Sequence, residues 1–397
     1  MTSPLCSRAF HRFSLVVVVV GALLLWVGAA VTTTGSGMAF GDWPLSNGSV
    51  NPSGWLRFTP QFLEHGHRLL AFLAGSLTLV MFLWQWKQAR LGWLEPVALI
   101  GEVFILIPVV HMADAATKGL AKDTLSHALG PAGLWIISAV VGIAVLQWLL
   151  RGCLSNRWPL LLKLCASALV VVVLQAVLGG LRVLKVSDPF GIAHGCLGPL
   201  FYCLLIAIAL LSSVWWPKGE TLLPAAEHRR FVNLATVLFV AVFVQLLFGA
   251  IVRHTQRTGL VATDIITTGG HMVPPVEPFE VFSIFMHKAW AMVVFALAMV
   301  SVFSMSKILR GRGWVSILPM LLAVLPVLQI ILGVYVLLSG KKFWVTNFHV
   351  LNGDLILATV FLLMLVARRS RPMSGLIAGN SASKDGQNAS SSLQAGV

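Results

Sequence analysis

The sequence predicts an all-α polytopic membrane protein made of two duplicated four-helix bundles, with about two further spans inserted in the first half. Three observations carry that expectation. Hydrophobic residues make up 57% of the 397 positions and charged residues 11%, where soluble domains have roughly a quarter charged. Long apolar runs such as Phe13 to Val31 can cross about 30 Å of hydrocarbon at about 1.5 Å per residue. A pair of histidines occurs twice, His67 with His194 and His287 with His349, each opening an apolar segment.

In chain order the apolar runs place spans near 13–34, 66–86, 93–112, 131–150, 159–181, 190–214, 231–252, 282–304, 314–338 and 346–367. The first follows Arg8 and Arg12 and ends on small residues at Gly28 to Ala30, as a signal peptide would. It is longer than the usual h-region of about 7 to 15 residues, so it reads as a transmembrane helix. The third is short and carries Glu102 and Pro108. The tail from Arg368 is rich in Ser, Gly, Asn and Ala without an apolar period, and is expected to be disordered.

The net charge of +14 resides mostly in alternate short loops, among them Lys87 and Arg90, Arg151 and Arg157, Arg229 and Arg230, and Lys307, Arg310 and Arg312. This positive-inside pattern places both termini in the cytoplasm of a bacterial-type cell membrane. It gives no support to nucleic-acid binding. The outer segments are poorer in Lys and Arg but not free of them, as Lys118, Lys122, Lys341 and Lys342 attest.

An internal repeat orders the spans. Val173-Leu174-Gln175 with Leu178-Gly179 matches Val327-Leu328-Gln329 with Leu332-Gly333, and each copy leads to a histidine with glycine four residues on, His194 and Gly198, His349 and Gly353. Gly28-Ala29 and Gly249-Ala250 end one span in each half, ahead of Gly37 with Asp42 and Gly259 with Asp264. The two histidines of the first half lie about 65 residues further apart than those of the second, which is room for two spans and a loop of the lengths a bilayer requires. An even insertion leaves both halves in one orientation, as parallel repeats demand. The expected organisation is 1–91 and 158–217 as the first bundle, 92–157 as the inserted pair, 218–367 as the second bundle and 368–397 as a cytoplasmic tail.

By this topology all four histidines lie toward the outer face. Two imidazoles from different helices at one depth suit the two axial positions of a haem iron, which predicts two bis-histidine haem sites. A bland alternative exists for each histidine taken singly: near a helix end it satisfies backbone groups or water. Four in a duplicated pattern favour ligands, because ionisable groups inside a membrane are costly and usually functional.

The string Glu64-His65-Gly66-His67-Arg68 resembles the Glu-x-x-His-Arg motif of the haem A synthase family, and Thr34-Gly35-Ser36-Gly37-Met38 with Asp42-Trp43-Pro44-Leu45 is similar to that family's first outer loop. Gln175 to Arg182, the His194 segment and the second half are similar too. The resemblance implies oxidation of the C8 methyl of haem O to a formyl group, for haem-copper oxidase biogenesis. It implies haem B as cofactor on His287 and His349, with His67 and His194 beside the substrate haem.

Glu64 lies one turn before His67, on the same helical face, while the equivalent place before His287 is Ile284. Only the first half therefore has a carboxylate beside its histidine, suited to proton transfer. The bland reading of Glu64 is a helix-start carboxylate favoured by free amide groups. Arg68 and Arg182 suit haem propionates or simply mark the interface, and Lys288 stands where the first half has Arg68. Arg253 and His254 lie near the outer edge of the second bundle.

Some family members carry a cysteine pair in the first outer loop, where this chain has Phe40 and Ser46. Cys6, Cys153, Cys165, Cys196 and Cys203 fall on the inner side or within spans, so no outer disulfide is expected. His111 and His127 in the insertion lack a partner at ligand spacing and are not expected to bind metal. A haem O synthase or an oxidase assembly factor is an expected partner, and the electron acceptor stays open. Two other readings fit the same residues: a bis-histidine dihaem membrane cytochrome that carries electrons without modifying haem, and a transporter built from parallel repeats.

Overall fold

The computed structural model describes residues 7–118, 124–218, 222–255 and 260–372. Among them are ten helices long and apolar enough to cross a membrane. These are α1 (Arg8–Thr33), α2 (Thr59–Ala89), α3 (Leu94–Thr117), α4 (Thr124–Leu154), α5 (Leu160–Lys185), α6 (Asp188–Leu211), α7 (Ala225–Thr255), α8 (Phe279–Leu309), α9 (Leu318–Leu338) and α10 (Phe343–Arg369). The protein is an all-helical integral membrane protein. Its strands, β1 (Leu222–Leu223) and β2 (Arg371–Pro372), form one short parallel ladder.

Most helices run past the apolar windows that predict them. Hydropathy sees only the part that crosses hydrocarbon, whereas the helix continues until a cap or turn ends it. Ser7 caps α1 by accepting the Phe10 N–H at 3.0 Å. Pro60 and Pro189 lie in the first turns of α2 and α6, where a missing N–H costs nothing. The sequence expectation that each histidine opens a helix is therefore corrected. His67 and His287 follow Thr59 and Phe279 by eight residues, and His194 and His349 follow Asp188 and Phe343 by six.

Two further expectations change. The 131–150 span belongs to a longer helix with a break at Gly130 (φ 64°) just before Pro131, where the ring of proline disfavours a helical preceding residue. The tail does not lose structure at Arg368. Helix α10 continues to Arg369, and Arg371–Pro372 pair with Leu222–Leu223. The rest of the tail and the His127 side chain lie outside the described residues.

Helix α1 packs on α2, α2 on α5, α5 on α6 and α6 back on α1. In the second half α7 packs on α8, α8 on α9, α9 on α10 and α10 on α7. The two rings of four meet through α1 against α10 and through α6 against α7 and α10. In each ring the densest apolar packing fills the end away from the histidines: Phe10, Phe82, Trp86, Leu162 and Ile208 in the first, and Phe231, Met305, Leu318, Val360 and Leu363 in the second. Large apolar side chains also cover the outside, as with Phe72 at 77% and Phe303 at 76% exposure, which is the pattern of a lipid-facing surface.

Helices α3 and α4 pair with each other and lean on α5. The C-terminal end of α3 is held by the buried Asp114, which pairs with Lys118 and with Lys185 of α5, both at 2.9 Å. Lys118 also donates to the Leu184 carbonyl at 2.9 Å. At the opposite end Trp148 stacks on Trp86 and tilts against Trp158, with ring centroids 6.4 and 4.8 Å away.

Candidate haem-binding sites

Helices α2, α6, α8 and α10 enter from the same face, so their histidines, six or eight residues in, reach depths of about 9 to 12 Å below the helix starts. The structure brings them together in the pairs expected from the sequence. His67 and His194 have ring centroids 6.4 Å apart, and His287 and His349 are 6.3 Å apart. One metal atom with bonds of about 2 Å to a nitrogen of each ring holds two imidazole centroids about 6.3 Å apart. Both pairs therefore have the centroid separation that a single shared iron atom requires.

Each histidine lies on a glycine of the adjacent helix. A Cβ added at Gly28 would come 2.9 Å from His67 Cε1, at Gly179 3.1 Å from His194, at Gly249 3.1 Å from His287 and at Gly333 3.2 Å from His349. A helix-interior glycine costs about 1 kcal/mol relative to alanine, and here it makes room for an imidazole. The glycines that mark the repeat in the sequence are thus the floors of the histidine pockets.

Glutamines complete the setting. His194 Nδ1 lies 3.0 Å from the Gln175 carbonyl; donating there leaves Nε2 with a free lone pair, the arrangement that prepares an imidazole for a metal. The Gln175 amide donates to the His194 carbonyl, and the Gln329 amide to the His349 carbonyl, both at 3.0 Å. Asn352 in turn donates to Gln329 Oε1 at 2.7 Å. Gln245 of α7 reaches both the carbonyl and Nδ1 of His287 at 3.1 Å. Nδ1 of His67 and of His349 are enclosed and unpartnered. Sequence reasoning used Gln175 and Gln329 only as repeat markers and overlooked Gln245 and Asn352, since a glutamine's partner on another helix leaves no local signature.

Glu64 is 3% exposed and points to the first outer loop. Its Oε2 accepts the Phe40 N–H at 3.0 Å, and its Oε1 accepts Arg68 Nη2 at 2.5 Å. Arg68 also donates to the carbonyls of Asp42 and Leu45. Ser46 Oγ lies 3.0 Å from Nδ1 of the buried His65. The loop is thus pinned to α2 at Phe40 and Ser46. Because α2 begins at Thr59, Glu64 lies in the second turn with defined partners, so the helix-start reading of this carboxylate does not hold.

The second outer loop repeats this plan without the carboxylate. Lys288 donates to the carbonyls of Asp264 and Thr267 at 3.1 and 2.5 Å. Gly270 N donates to Asp264 as Gly48 N does to Asp42. The place of Glu64 is taken by Ile284, buried at 3% exposure.

Arg182 threads between Gly37 and Gly191, where a Cβ would crowd its guanidinium. His254 lies beside it, 3.6 Å from Asp188. Arg253 crosses from α7 to α1, donating to the Ala29 carbonyl at 2.5 Å and to Thr33 at 3.2 Å. These residues line the seam between the two rings. The buried Asp354 of α10 was not anticipated; a lone acidic residue in an apolar run carries no sequence signal of what surrounds it.

The family model described as COX15-CtaA, cytochrome oxidase assembly protein, matches residues 57–361. The chain belongs to this family. The match takes in all four histidines, the inserted pair and every long helix except α1, with α10 covered as far as residue 361. Among curated relatives, the heme A synthase of Bacillus licheniformis is 31% identical over 28% of this chain and 37% of its own length. That of Geobacillus kaustophilus is 35% identical over 26% of this chain and 32% of its own length. That of Halalkalibacterium halodurans is 22% identical over 88% of this chain and 94% of its own length. The chain thus spans about a third of the first two relatives and nearly all of the third, at lower identity. The family is described as one of cytochrome oxidase assembly proteins, and these three curated relatives are heme A synthases.

Proposed function

We propose that this family member is itself a haem A synthase, oxidising the C8 methyl of haem O to a formyl group. The observation that carries the reading is the pairing of four histidines at one-iron separation, each on its own glycine, with a carboxylate one helical turn before the histidine in the first ring and Ile284 in its place in the second. The matching ring order, loop contacts and histidine depths support two duplicated bundles, 1–91 with 158–217 and 218–367, around an inserted pair at 92–157. The Lys and Arg bias of the alternate loops supports an outer location for both sites, with both termini in the cytoplasm of a bacterial-type cell membrane.

In this reading His287 and His349 hold haem B, and His67 and His194 receive the substrate haem O. Haem B, when bound, supplies one-electron transfer. The chain's own residues do the rest. The Gln175 carbonyl orients His194, and Gln245 with Gln329 positions the second pair. Glu64, oriented by Arg68 and the Phe40 N–H, accepts the proton released as a methyl C–H bond breaks. Arg182, and Arg68 where its loop bonds allow, give guanidinium partners to propionates. A haem O synthase delivering substrate, or an oxidase assembly partner taking product, fits this chemistry.

The test is chromatography of haems extracted from the purified protein after expression with a haem O synthase. Haem A or its hydroxymethyl precursor beside haem B is expected. Haem B alone, with haem O available, would replace this reading by that of a dihaem electron carrier.

The glycine floors give a further prediction. Gly249→Leu fills the pocket under His287, and overpacking of this kind costs about 1 to 3 kcal/mol. Haem B per chain, assayed as the pyridine haemochrome, should fall roughly five- to a hundredfold, by the usual conversion of free energy to occupancy at limiting haem. Gly249→Ala should lose far less. Equal haem content in all three proteins would remove the pocket from the argument.

A further inference from the structure

Helix α3 and the first outer loop flank an open cavity of about 390 Å³, whose lining includes none of the four paired histidines. Trp43, Pro44 and Leu45 of the loop form one wall, and Ile107, Pro108 and His111 of α3 form the other. The Asp42 carboxylate at its edge is already bonded to the N–H groups of Asn47 and Gly48, at 2.8 and 2.7 Å. The walls are therefore apolar with one hydrogen-bonding ring. His111 lines the cavity, and its Nδ1 is enclosed and unpartnered. The volume lies within the usual range for small-molecule sites, which pair apolar walls with a few polar groups.

Position narrows the ligand further. Ile107, Pro108 and His111 lie in the last three turns of α3, at the outer edge of the hydrocarbon, so an occupant enters from the bilayer. Trp43 connects the cavity to the first histidine pair. Its indole packs on Gly180, next to Gly179, on which His194 lies. A planar apolar ring with a carbonyl for His111 and an aromatic neighbour in Trp43, soluble in lipid and able to take two electrons, has the chemistry of a quinone.

We propose that this cavity binds the head group of an isoprenoid quinone, which accepts the electrons of the oxidation; this rests on the haem O reading above. The balance closes in two steps. The methyl group, water and one quinone give the hydroxymethyl group and one quinol, and the hydroxymethyl group with a second quinone gives the formyl group and a second quinol. Each step breaks a C–H bond and passes two electrons and two protons to the quinone oxygens. His111 Nε2–H donates to one carbonyl and orients the ring.

The test is titration of the full-length haem-loaded protein, in nanodiscs of quinone-free phosphatidylcholine, with decylubiquinone. Saturable binding near one equivalent is expected. Ile107→Trp, which fills the cavity, should weaken it at least about tenfold. His111→Leu, which removes one hydrogen bond, should weaken it about two- to tenfold. Haem content should be unchanged in both, and if Ile107→Trp loses haem the decision passes to His111→Leu. Absence of saturable binding, occupancy by lipid acyl chains only, or affinity unmoved by either variant overturns the proposal. Haem A yield, measured on the same preparations, reports separately on the haem O reading: product without quinone binding sinks only the cavity, and binding without product sinks the enzyme and the quinone's role as its acceptor while leaving the binding site.

Discussion

His349→Ala is expected to yield a protein that retains its fold but has lost at least about nine-tenths of the haem in its second ring, a change of about 1.4 kcal/mol or more. His349 and His287 reach the same point from two helices, α10 and α8, with centroids 6.3 Å apart. Removing one leaves the other only half of an axial pair. Any haem that stays should change from a six-coordinate to a five-coordinate absorption spectrum. The first ring should be untouched, because its pair lies on α2 and α6 and shares no helix with the second. Hence His194→Ala should leave the haem B of the second ring in place while haem A disappears. Full haem B content with an unaltered spectrum in His349→Ala would show that this pair does not hold haem. The companion variant His287→Ala should behave alike, since Gly249 and Gly333 provide equivalent floors.

The second large effect concerns Glu64, where two roles must be separated. Glu64→Ala removes a carboxylate and also releases the Phe40 N–H and the Arg68 guanidinium. Breaking a buried pair by removing one partner typically costs about 3 to 5 kcal/mol; Arg68 is part-exposed and keeps its loop carbonyls, which puts the cost here at the low end or below. Glu64→Gln keeps an acceptor for Phe40 but cannot take up a proton. If Glu64 acts as the base, both variants should lower haem A yield by about 10²- to 10⁴-fold while haem B stays bound. If it only anchors the loop, Glu64→Gln should approach normal yield and Glu64→Ala alone should fail. Normal yield from both would remove Glu64 from the chemistry altogether.

These variants could be chosen because much of the site was legible in the chain. The four histidines, their pairing and the glycines of the repeat all read directly, since a duplicated sequence reports its own alignment. The lack of a carboxylate at Ile284 was legible for the same reason. What Glu64 touches was not: a residue one turn before His67 is equally consistent with facing the iron or the loop. Likewise Arg68 reads as an interface cation, yet it pins the Asp42 and Leu45 carbonyls. Asp114 gave no warning that it ties α3 to Lys185 of α5, because the two lie far apart in the chain.

The sequence by itself determined the membrane class, the apolar spans, the repeat and the residues available to hold iron. These follow from hydrophobicity and spacing, which are local properties that the bilayer reads one helix at a time. Only the tertiary structure decided the turn at which each histidine sits, the glycine beneath it, the glutamine beside it and the cavity between the outer loop and α3. Such contacts depend on the rotation and tilt of each helix against its neighbours, and those are set by packing between side chains remote in sequence.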